Sequence, residues 1–517
     1  MHPSIHALNN PEKPAFIMAG SGYRMSFGKL ESRANRVAQL LRSHGVTRGD
    51  TVALMLENVS AYFEIMWGCQ RAGVYAVPIS ARLVADEVAY ILTDCGARML
   101  FHSASLTDVA QKAAEQLVDV ALFAVDADSD IGEYAQARDA MPDTPVADRS
   151  PGSVMLYSSG TTGRPKGIKL PLPEGQVEEP TRMMTHANVR YGMDEETIYL
   201  SPAPLYHAAP LRWAMTVQAL GGTVIVMEKF DAEEALRLIE AQRVTHAQFV
   251  PTHFVRMLTL PEHVRERYDL SSLRAAIHAA APCPVQVKEQ MMAWWGPIIH
   301  EYYAGSESNG ITVASPEEWL THKGTVGRAF GCEVHICDEH GEEVPPRTEG
   351  AVYFANGPSF EYHNDPEKTV AAHNARGWTT MGDIGWLDEE GFLYLTDRKS
   401  FMIISGGVNV YPQEIENLLL THAGVADAAV FGAPDPDLGE KVVAVIQPSD
   451  RGAANQGFAE ELHTYLRSNL SRVKSPKRID FMYELPRLPT GKLMKRLLQD
   501  AYRGENADLM REIVPGK

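Results

Sequence analysis

The stretch Tyr157-Ser-Ser-Gly-Thr-Thr-Gly-Arg-Pro-Lys-Gly167 follows directly after the apolar run Ser153–Leu156. Its glycines let the backbone curl so that several N–H groups point at one phosphate, and the hydroxyls, Arg164 and Lys166 add donors and positive charge. It is not the Walker P-loop, in which Ser or Thr follows the lysine, because Gly167 follows here. A Gly/Ser/Thr loop alone is equally well explained as a flexible connection between a strand and a helix. The eleven-residue string is far more specific than such a loop.

Four further segments occur downstream. Taken singly, each has an ordinary explanation: Tyr303 as a core tyrosine, Glu307 as a solvated loop residue, and Asp383 and Lys492 as turn residues. Together, the five segments occur in the order found in the adenylate-forming superfamily and resemble its motifs. That superfamily includes acyl-CoA and aryl-CoA synthetases, luciferases and peptide-synthetase adenylation domains. The resemblance extends from residue 157 to residue 492, and its downstream segments are Tyr303-Ala-Gly-Ser-Glu307, Trp378-Thr-Thr-Met-Gly-Asp383, Asp397-Arg398-Lys399 with Ile403–Pro412, and Leu488-Pro-Thr-Gly-Lys492.

The resemblance implies a two-step reaction. A carboxylate attacks the α-phosphate of Mg-ATP to give an acyl-adenylate and pyrophosphate, and a thiol, usually that of CoA, then displaces AMP. The protein must neutralise a crowded polyanion and keep the mixed anhydride away from water. The expected enzyme is therefore an AMP-forming acid–thiol ligase, with ATP, Mg²⁺ and CoA as cofactors and a small carboxylic acid as its substrate.

The resemblance also implies five catalytic residues. Lys492 would stabilise the charge that develops on the carboxylate and α-phosphate during adenylation. Thr161 and Lys166 would hold the β- and γ-phosphates and follow pyrophosphate as it leaves. Glu307 would bind Mg²⁺, which commonly takes one or two protein carboxylates plus phosphate oxygens. His207 matches an aromatic position that borders the acyl carboxylate in relatives.

The nucleotide and CoA contacts are carried over in the same way. Tyr303 resembles the residue that stacks on adenine, Asp383 would accept the ribose hydroxyls, and Arg398 would support the ribose or a phosphate. The full set of predicted cofactor-binding residues is Ser158, Ser159, Gly160, Thr161, Thr162, Gly163, Lys166, Ala280, Tyr302, Tyr303, Ser306, Asp383, Arg398, Ser405, Gly406, Gly407, Lys474 and Lys477.

Three positions depart from the family pattern. Met381 stands where relatives carry a hydroxyl, and Ser400 stands at the hinge position, which is commonly Lys or Asp in relatives. A Pro/Glu-rich segment, Ile168–Met184, intervenes before Thr185-His186. We expect it to be a surface loop, with a lid over ATP or the acyl channel as the alternative.

The acid is expected to be hydrophobic. By motif position, its pocket is lined by Tyr206–Trp213, His278–Pro284 and Ser308–Ile311. These segments are rich in alanine, contain Arg212 as their only Lys or Arg, and lack the Asp that amino-acid adenylation domains use to hold a substrate amine. A roomy apolar site fits a medium- or long-chain fatty acid, or a bulky aryl or alicyclic acid.

The acceptor is expected to be CoA. Lys474, Lys477 and Arg478 resemble the basic stretch near the CoA nucleotide in relatives, although the same residues also suit a solvated helix end. A stand-alone adenylation enzyme that loads a carrier protein is the main alternative. A non-catalytic nucleotide or acyl sensor is less favoured, because the charged residues of all five motifs are present.

Composition excludes several other classes. The 517-residue chain carries 48 Lys+Arg against 66 Asp+Glu, a net charge of −18, so nucleic acid and anionic lipid are poor partners. Its five cysteines form no CxxC pair and no metal spacing, which indicates reduced thiols. The N-terminus has no signal-peptide pattern, and no apolar run reaches membrane-spanning length. We expect a cytoplasmic protein, or at most a peripheral one, and a homodimer remains open.

The predicted fold class is α/β. Alternating strand and helix patterns in the first 150 residues, and again at 197–250, predict parallel sheets covered by helices in two layered subdomains. Short alternating runs over about 327–395 predict a small β-barrel-like subdomain. We therefore expect an N-terminal adenylation domain at 1–397 and a small mobile α+β domain at 398–517.

Overall fold

The structure, a computed structural model, describes residues 1–117, 119–127, 132–158, 165–405, 408–471, 474–487 and 493–516. Its strands in chain order are β1 (Pro14–Met18), β2 (Arg24–Ser26), β3 (Thr51–Met55), β4 (Tyr75–Pro78), β5 (Ala97–Ser103), β6 (Ala121–Val125), β7 (Ser153–Val154), β8 (Leu156–Ser158), β9 (Lys166–Lys169), β10 (Ile198–Ser201), β11 (Thr223–Val226), β12 (His246–Phe249), β13 (Ala275–His278), β14 (Ile299–Ala304), β15 (Ile311–Ala314), β16 (Arg328–Ala329), β17 (Glu333–Cys337), β18 (Gly350–Ala355), β19 (Glu361–Tyr362), β20 (Asp383–Leu387), β21 (Leu393–Arg398), β22 (Ile403–Ser405), β23 (Val408–Val410), β24 (Val425–Asp435), β25 (Gly439–Pro448), β26 (Arg478–Phe481) and β27 (Val514–Pro515).

The α-helices follow the strands along most of the chain. They are α1 (Pro3–Asn9), α2 (Phe27–Ser43), α3 (Ala61–Arg71), α4 (Ala85–Cys95), α5 (Thr107–Ala114), α6 (Glu133–Asp139), α7 (Arg182–Tyr191), α8 (Ala208–Leu220), α9 (Ala232–Ala241), α10 (Pro251–Leu258), α11 (Glu262–Arg265), α12 (Val285–Trp295), α13 (Pro316–Thr321), α14 (Pro366–Ala371), α15 (Pro412–Leu419), α16 (Gln456–Asn469), α17 (Lys495–Arg503) and α18 (Ala507–Glu512). No helix in the described part of the chain is both long and apolar enough to cross a membrane.

The first predicted layer is confirmed as a five-stranded sheet. Its order is β6-β5-β3-β4-β7, and every neighbouring pair is parallel. Successive residues of β3 alternate between two cores, as the pleat of a strand requires. Val52 and Leu54 pack in the cluster with α2 and α3, and Ala53 and Met55 pack in the cluster with α4 and α5.

The second layer is a nine-stranded sheet of order β16-β15-β14-β13-β12-β10-β11-β1-β2. Its centre, from β14 to β1, is parallel, and antiparallel strands lie at both edges. Strands β1 and β2 come from the start of the chain, so the N-terminal residues complete the second sheet rather than the first. Because β10, β13 and β14 run parallel, their carboxyl ends lie along the same edge of the sheet. Open α/β sheets bind ligands at this edge.

Two small antiparallel sheets supply the β-rich part. One has the order β17-β18-β20-β21 and agrees with the short alternating runs predicted there; the other has the order β19-β9-β8. Beyond residue 398, β22 to β27 form a mixed sheet on which α15 and α16 pack, with a core of its own. The α/β class, with a large N-terminal body and a small C-terminal one, is thereby confirmed.

Candidate active site

The glycine-rich segment connects two antiparallel strands. Strands β8 and β9 pair Tyr157 with Gly167 and Ser158 with Lys166. The segment therefore connects two paired strands, whereas a Walker loop connects a strand to a helix. The predicted contacts Ser159, Gly160, Thr161, Thr162 and Gly163 lie outside the described residues, whereas Ser158 and Lys166 form the last strand pair at the base of the hairpin.

Three predicted nucleotide-binding residues form one hydrogen-bonded cluster. Asp383 begins β20 opposite Arg398 at the end of β21, and Tyr303 lies on β14. The Tyr303 hydroxyl donates to Asp383 Oδ2 at 2.5 Å, and Arg398 Nε donates to Oδ1 at 3.0 Å. Burial and the neighbouring carboxylate raise the pKa of Tyr303 well above its ordinary value, so the tyrosine stays a donor. A carboxylate offers roughly four lone-pair sites, so Asp383 retains acceptor capacity for ribose hydroxyls.

The predicted metal ligand is held by a tyrosine that sequence reasoning missed. Tyr362 on β19 donates its hydroxyl to Glu307 Oε1 at 2.9 Å. Lys166 Nζ lies 5.2 Å from the centroid of the same ring. Burial raises the pKa of Tyr362, and the Glu307 carboxylate adds to this rise. Burial lowers the pKa of Lys166, and the positive charge of Lys368 lowers it further. The short strand Glu361–Tyr362 carries no local signal that would have identified this role.

Gly305 brings the metal-ligand segment against the ribose segment. A Cβ at residue 305 would lie 1.9 Å from Met381 Sδ and 2.6 Å from Glu307 Oε2, so a larger residue there would displace the Met381 and Glu307 side chains. Met381, the departure from the family pattern, packs against that glycine. The neighbouring Thr380 Oγ1 accepts a hydrogen bond from Gly382 N at 3.0 Å and stabilises the turn before Asp383.

The other predicted N-terminal contacts lie near the carboxyl ends of β10, β13 and β14. His207 is the N-cap residue of α8, and Ala280, just after β13, adopts a left-handed φ of +76°. Tyr302 on β14 accepts a hydrogen bond from Trp213 Nε1 at 3.4 Å. Ser306 is half-buried in the loop after β14.

Arg212 is the one charged residue predicted to line the acyl pocket. Its Nη1 donates to Ser308 Oγ at 3.0 Å, and burial lowers its pKa. Tyr302 and, more weakly, Glu307 oppose this lowering of the Arg212 pKa.

The predicted CoA residues lie in the C-terminal part. Lys474 Nζ forms an ion pair with Glu414 at 2.7 Å, and Arg478 Nε pairs with the buried Asp480 at 2.5 Å. Lys477 lines an open cleft of about 690 Å³ together with Lys441 and Arg478. Ser405 ends β22 and is buried. Gly406, Gly407 and Lys492 lie outside the described residues.

Glu307 fits the kind of magnesium site that the resemblance implies. Within the described ranges, no cluster of three or more His, Cys, Asp or Glu side chains could hold a metal ion. A single carboxylate near the strand pair β8–β9 would suit Mg²⁺, which keeps several water and phosphate ligands.

The inserted segment is a surface loop, as predicted. Its ends belong to β9 and α7, and most of residues 170–181 are exposed. It is held to the N-terminal body by the Tyr75 hydroxyl, which donates to Leu170 O at 2.8 Å, and by an ion pair of 2.7 Å between Arg149 and Glu178.

Comparison with known proteins gives consistent matches along the chain. Residues 4–360 match the family of AMP-binding enzymes, and residues 414–492 match the AMP-binding enzyme C-terminal domain. A fatty acid–[acyl-carrier-protein] ligase, ScoC of Streptomyces coeruleorubidus, is 34% identical and covers 98% of this chain and 96% of its own length. A feruloyl-CoA synthase of an Amycolatopsis species is 34% identical, and the match covers 95% of this chain and 96% of its own length. The ATP-bound structure of MatB from Rhodopseudomonas palustris superposes with a TM-score of 0.83 at 27% identity and covers 98% of this chain and 100% of its own.

Proposed function

Because the chain belongs to the AMP-binding enzyme family and is an AMP-forming acid–thiol ligase, we propose that it converts a hydrophobic carboxylic acid into its CoA thioester. In the first step a carboxylate oxygen bonds to the α-phosphorus of ATP and the bond to pyrophosphate breaks. In the second step the CoA sulfur bonds to the acyl carbon, AMP leaves with the bonding electron pair, and the thiol proton is released.

The observation that carries this proposal is that two side-chain clusters lie close together, because Gly305 packs against both Glu307 and Met381, two residues before Asp383. Asp383, held by Tyr303 and Arg398, presents acceptor oxygens for the ribose. Lys166, Tyr362 and Glu307 lie beside the phosphate hairpin and supply one cation and one carboxylate. A triphosphate that extends from the first cluster to the second would meet the Lys166 ammonium directly and the Glu307 carboxylate through Mg²⁺. Mg²⁺, when bound through Glu307, supplies further neutralisation of the phosphate charge.

Rotation of the C-terminal domain is part of the proposal. Only residues 399–402 separate β21 from β22, and the C-terminal sheet has a separate core. Near the end of β21, Asp397 Oδ2 accepts a hydrogen bond from Gln413 N of α15 at 2.9 Å, so this bond links the two bodies beside the connection. A short connection between two independently packed bodies suits a hinge. It would bring Lys492 in for adenylation and the segment Ser405–Gly407 in for thioester formation.

The proposed substrate class is supported by the small residues near the carboxyl ends of β10 and β13. Ala208, Ala209 and Ala279–Ala281 leave room for a bulky chain or ring. The two named relatives act on a fatty acid and on ferulate, one aliphatic and one aryl. We therefore place the substrate among medium- or long-chain fatty acids and bulky aryl or alicyclic acids.

A carrier-protein thiol is the second candidate acceptor. Two of the three basic residues predicted for CoA are neutralised by Glu414 and Asp480, which weakens a site for the CoA phosphates. The relative ScoC is named for an acyl-carrier-protein acceptor. Lys477 in its cleft keeps CoA as the first candidate. All five cysteines are free, and from this we infer a reducing, cytoplasmic compartment.

The test is ATP-dependent pyrophosphate release across a panel of carboxylic acids, run without a thiol, with CoA, and with a phosphopantetheinylated carrier protein. The panel holds short, medium and long fatty acids, cinnamates, benzoates and ring-bearing acids. Rapid turnover with a hydrophobic acid and CoA supports the proposal. Turnover only with the carrier protein favours the second candidate, and acetate as the best acid contradicts the hydrophobic pocket.

Glu307→Gln is expected to weaken the use of Mg-ATP. Loss of the carboxylate that would hold Mg²⁺ beside the phosphates should lower kcat/KM for ATP by about 10- to 100-fold, as expected for a charge-assisted interaction. The measurement is pyrophosphate release over a titration of ATP and of Mg²⁺. Unchanged ATP and Mg²⁺ dependence would remove Glu307 from the metal's ligands.

A further inference from the structure

Asp94, near the end of α4, contacts two parts of the site that lie far away in the sequence. Its Oδ2 accepts a hydrogen bond from the Tyr157 hydroxyl at 2.5 Å, across 63 residues. Asn364 Nδ2 donates to Asp94 O at 3.0 Å and lies 3.3 Å from Oδ1, and His363 Nε2 lies 3.0 Å from the same main-chain oxygen. One residue thus joins β8 to the residues that directly follow β19.

The Tyr157 side chain lies over Gly167 as it reaches Asp94. Tyr157 and Gly167 are paired across β8 and β9, and His363 N donates to Gly167 O at 2.8 Å. A Cβ at residue 167 would lie 3.0 Å from the Tyr157 hydroxyl oxygen and 2.7 Å from Met155 Cε. Glycine therefore leaves the space that the tyrosine ring needs, and the row Tyr157–Gly167–His363 crosses the small sheet.

The position of Asp94 is unfavourable for its own helix. Helix α4 carries Asp86 and Glu87 in its first turn, where negative charge is favourable, and its described last turn contains no basic residue. A carboxylate in the last turn faces the negative end of the helix dipole. The hydrogen bonds from Tyr157 and Asn364 offset this penalty. Asp94 is therefore favourable through these tertiary contacts and not through its effect on helix α4.

From these contacts we propose that Asp94 is a positioning residue for the adenylation half-reaction. It clamps the small sheet β19-β9-β8 by bonding to its outer strand β8 at Tyr157 and to Asn364 beyond β19. Lys166 and Tyr362 belong to the same sheet, and Tyr362 holds Glu307. The clamp therefore fixes the separation between the Lys166 ammonium, which would contact the phosphates of ATP, and the Glu307 carboxylate, which would hold Mg²⁺. This inference rests on the proposed function, and Asp94 itself touches no substrate.

Asp94→Ala and Tyr157→Phe break the clamp from its two sides. Each is expected to raise the KM for ATP about tenfold, the scale of a hydrogen bond to a charged group. The double variant should be little worse than either single one, because both changes remove the same bond. Asp94→Asn keeps an acceptor oxygen for Tyr157 and should restore most of the ATP affinity. Thioester formation from supplied acyl-adenylate should be nearly unchanged, because that step uses no β- or γ-phosphate.

Tyr134→Phe is the matched control. It removes a tyrosine–carboxylate hydrogen bond of 2.7 Å to the buried Glu64, within the network of α3 and α6. It should lower Tm and leave the KM for ATP unchanged. The rise in Tm on adding Mg-ATP without acid or thiol measures nucleotide binding alone, so it tests Asp94 even where the proposed acid or acceptor is wrong. Unchanged ATP affinity in Asp94→Ala and Tyr157→Phe, or equal losses in both half-reactions, would overturn the proposal.

Discussion

Lys492→Ala is expected to lower the rate of acyl-adenylate formation by about 10²- to 10³-fold, the usual effect of removing one preorganised charge stabiliser. By its motif, the ammonium group meets the carboxylate and α-phosphate as negative charge develops between them. Alanine leaves that charge without a partner in a site from which water is excluded. The measurement is single-turnover formation of acyl-adenylate from ATP and the best acid of the panel.

The second half-reaction separates this role from a general loss of structure. Thioester formation from supplied acyl-adenylate should be much less affected, because the proposed rotation removes Lys492 from the site before the thiol attacks. Arg496→Ala is a suitable control: its half-exposed side chain pairs with Asp500 at 3.5 Å on the surface of α17. Equal losses in both half-reactions of Lys492→Ala would contradict the rotation.

Glu301→Gln is expected to lower the free energy of unfolding by about 3–5 kcal/mol, as for other broken buried ion pairs. Glu301 Oε2 lies 2.6 Å from Lys288 Nζ and 3.2 Å from His278 Nε2. The Lys288 side chain is fully buried, with its ammonium 4.7 Å from the centroid of the Trp319 ring. The glutamine would leave that ammonium buried without a compensating charge. Denaturant unfolding followed by tryptophan fluorescence measures the loss, since Trp319 is itself buried.

A second glutamate in the same region provides a matched control. Glu289 pairs with Lys323, also at 2.6 Å, but both side chains are substantially exposed. Glu289→Gln should cost less than about 1 kcal/mol, because solvent screens the pair. Similar losses in the two variants would contradict the assignment of the Glu301 effect to burial.

The Glu301 effect should also depend on pH. Burial opposes ionisation of this carboxyl, but His278 and Lys288 outweigh it and hold the pKa of Glu301 at about 2, below the ordinary 4.5. A depressed pKa stabilises the folded state at pH values above the ordinary pKa, and this contribution is lost as the pH falls toward the folded value. The difference between wild type and Glu301→Gln should therefore be constant above pH 5 and shrink between about pH 4.5 and 2.

Local sequence signals were sufficient for many elements of the fold. Helix α2 begins after Ser26, whose hydroxyl accepts from Lys29 N, and ends before Gly45 in a left-handed conformation. Asp231 caps α9 in the same way. Capping and apolar periodicity involve neighbours within a few residues, so they are legible in the sequence. The sequence did not reveal to which sheet β1 belongs, because strand order depends on how whole layers pack.

The chemistry was predicted from sequence alone, through the glycine-rich string Tyr157–Gly167 and four further motifs whose residue types suit a triphosphate and a carboxylate. How the described residues among them are held could be seen only in the folded structure. Tyr303 meets Asp383 across 80 residues, Tyr362 meets Glu307 across 55, and Asp94 meets Tyr157 across 63. Each of these hydrogen bonds joins side chains that belong to different sheets, helices or loops. Their meeting depends on the register of the strands and the packing of the layers, which no local periodicity encodes.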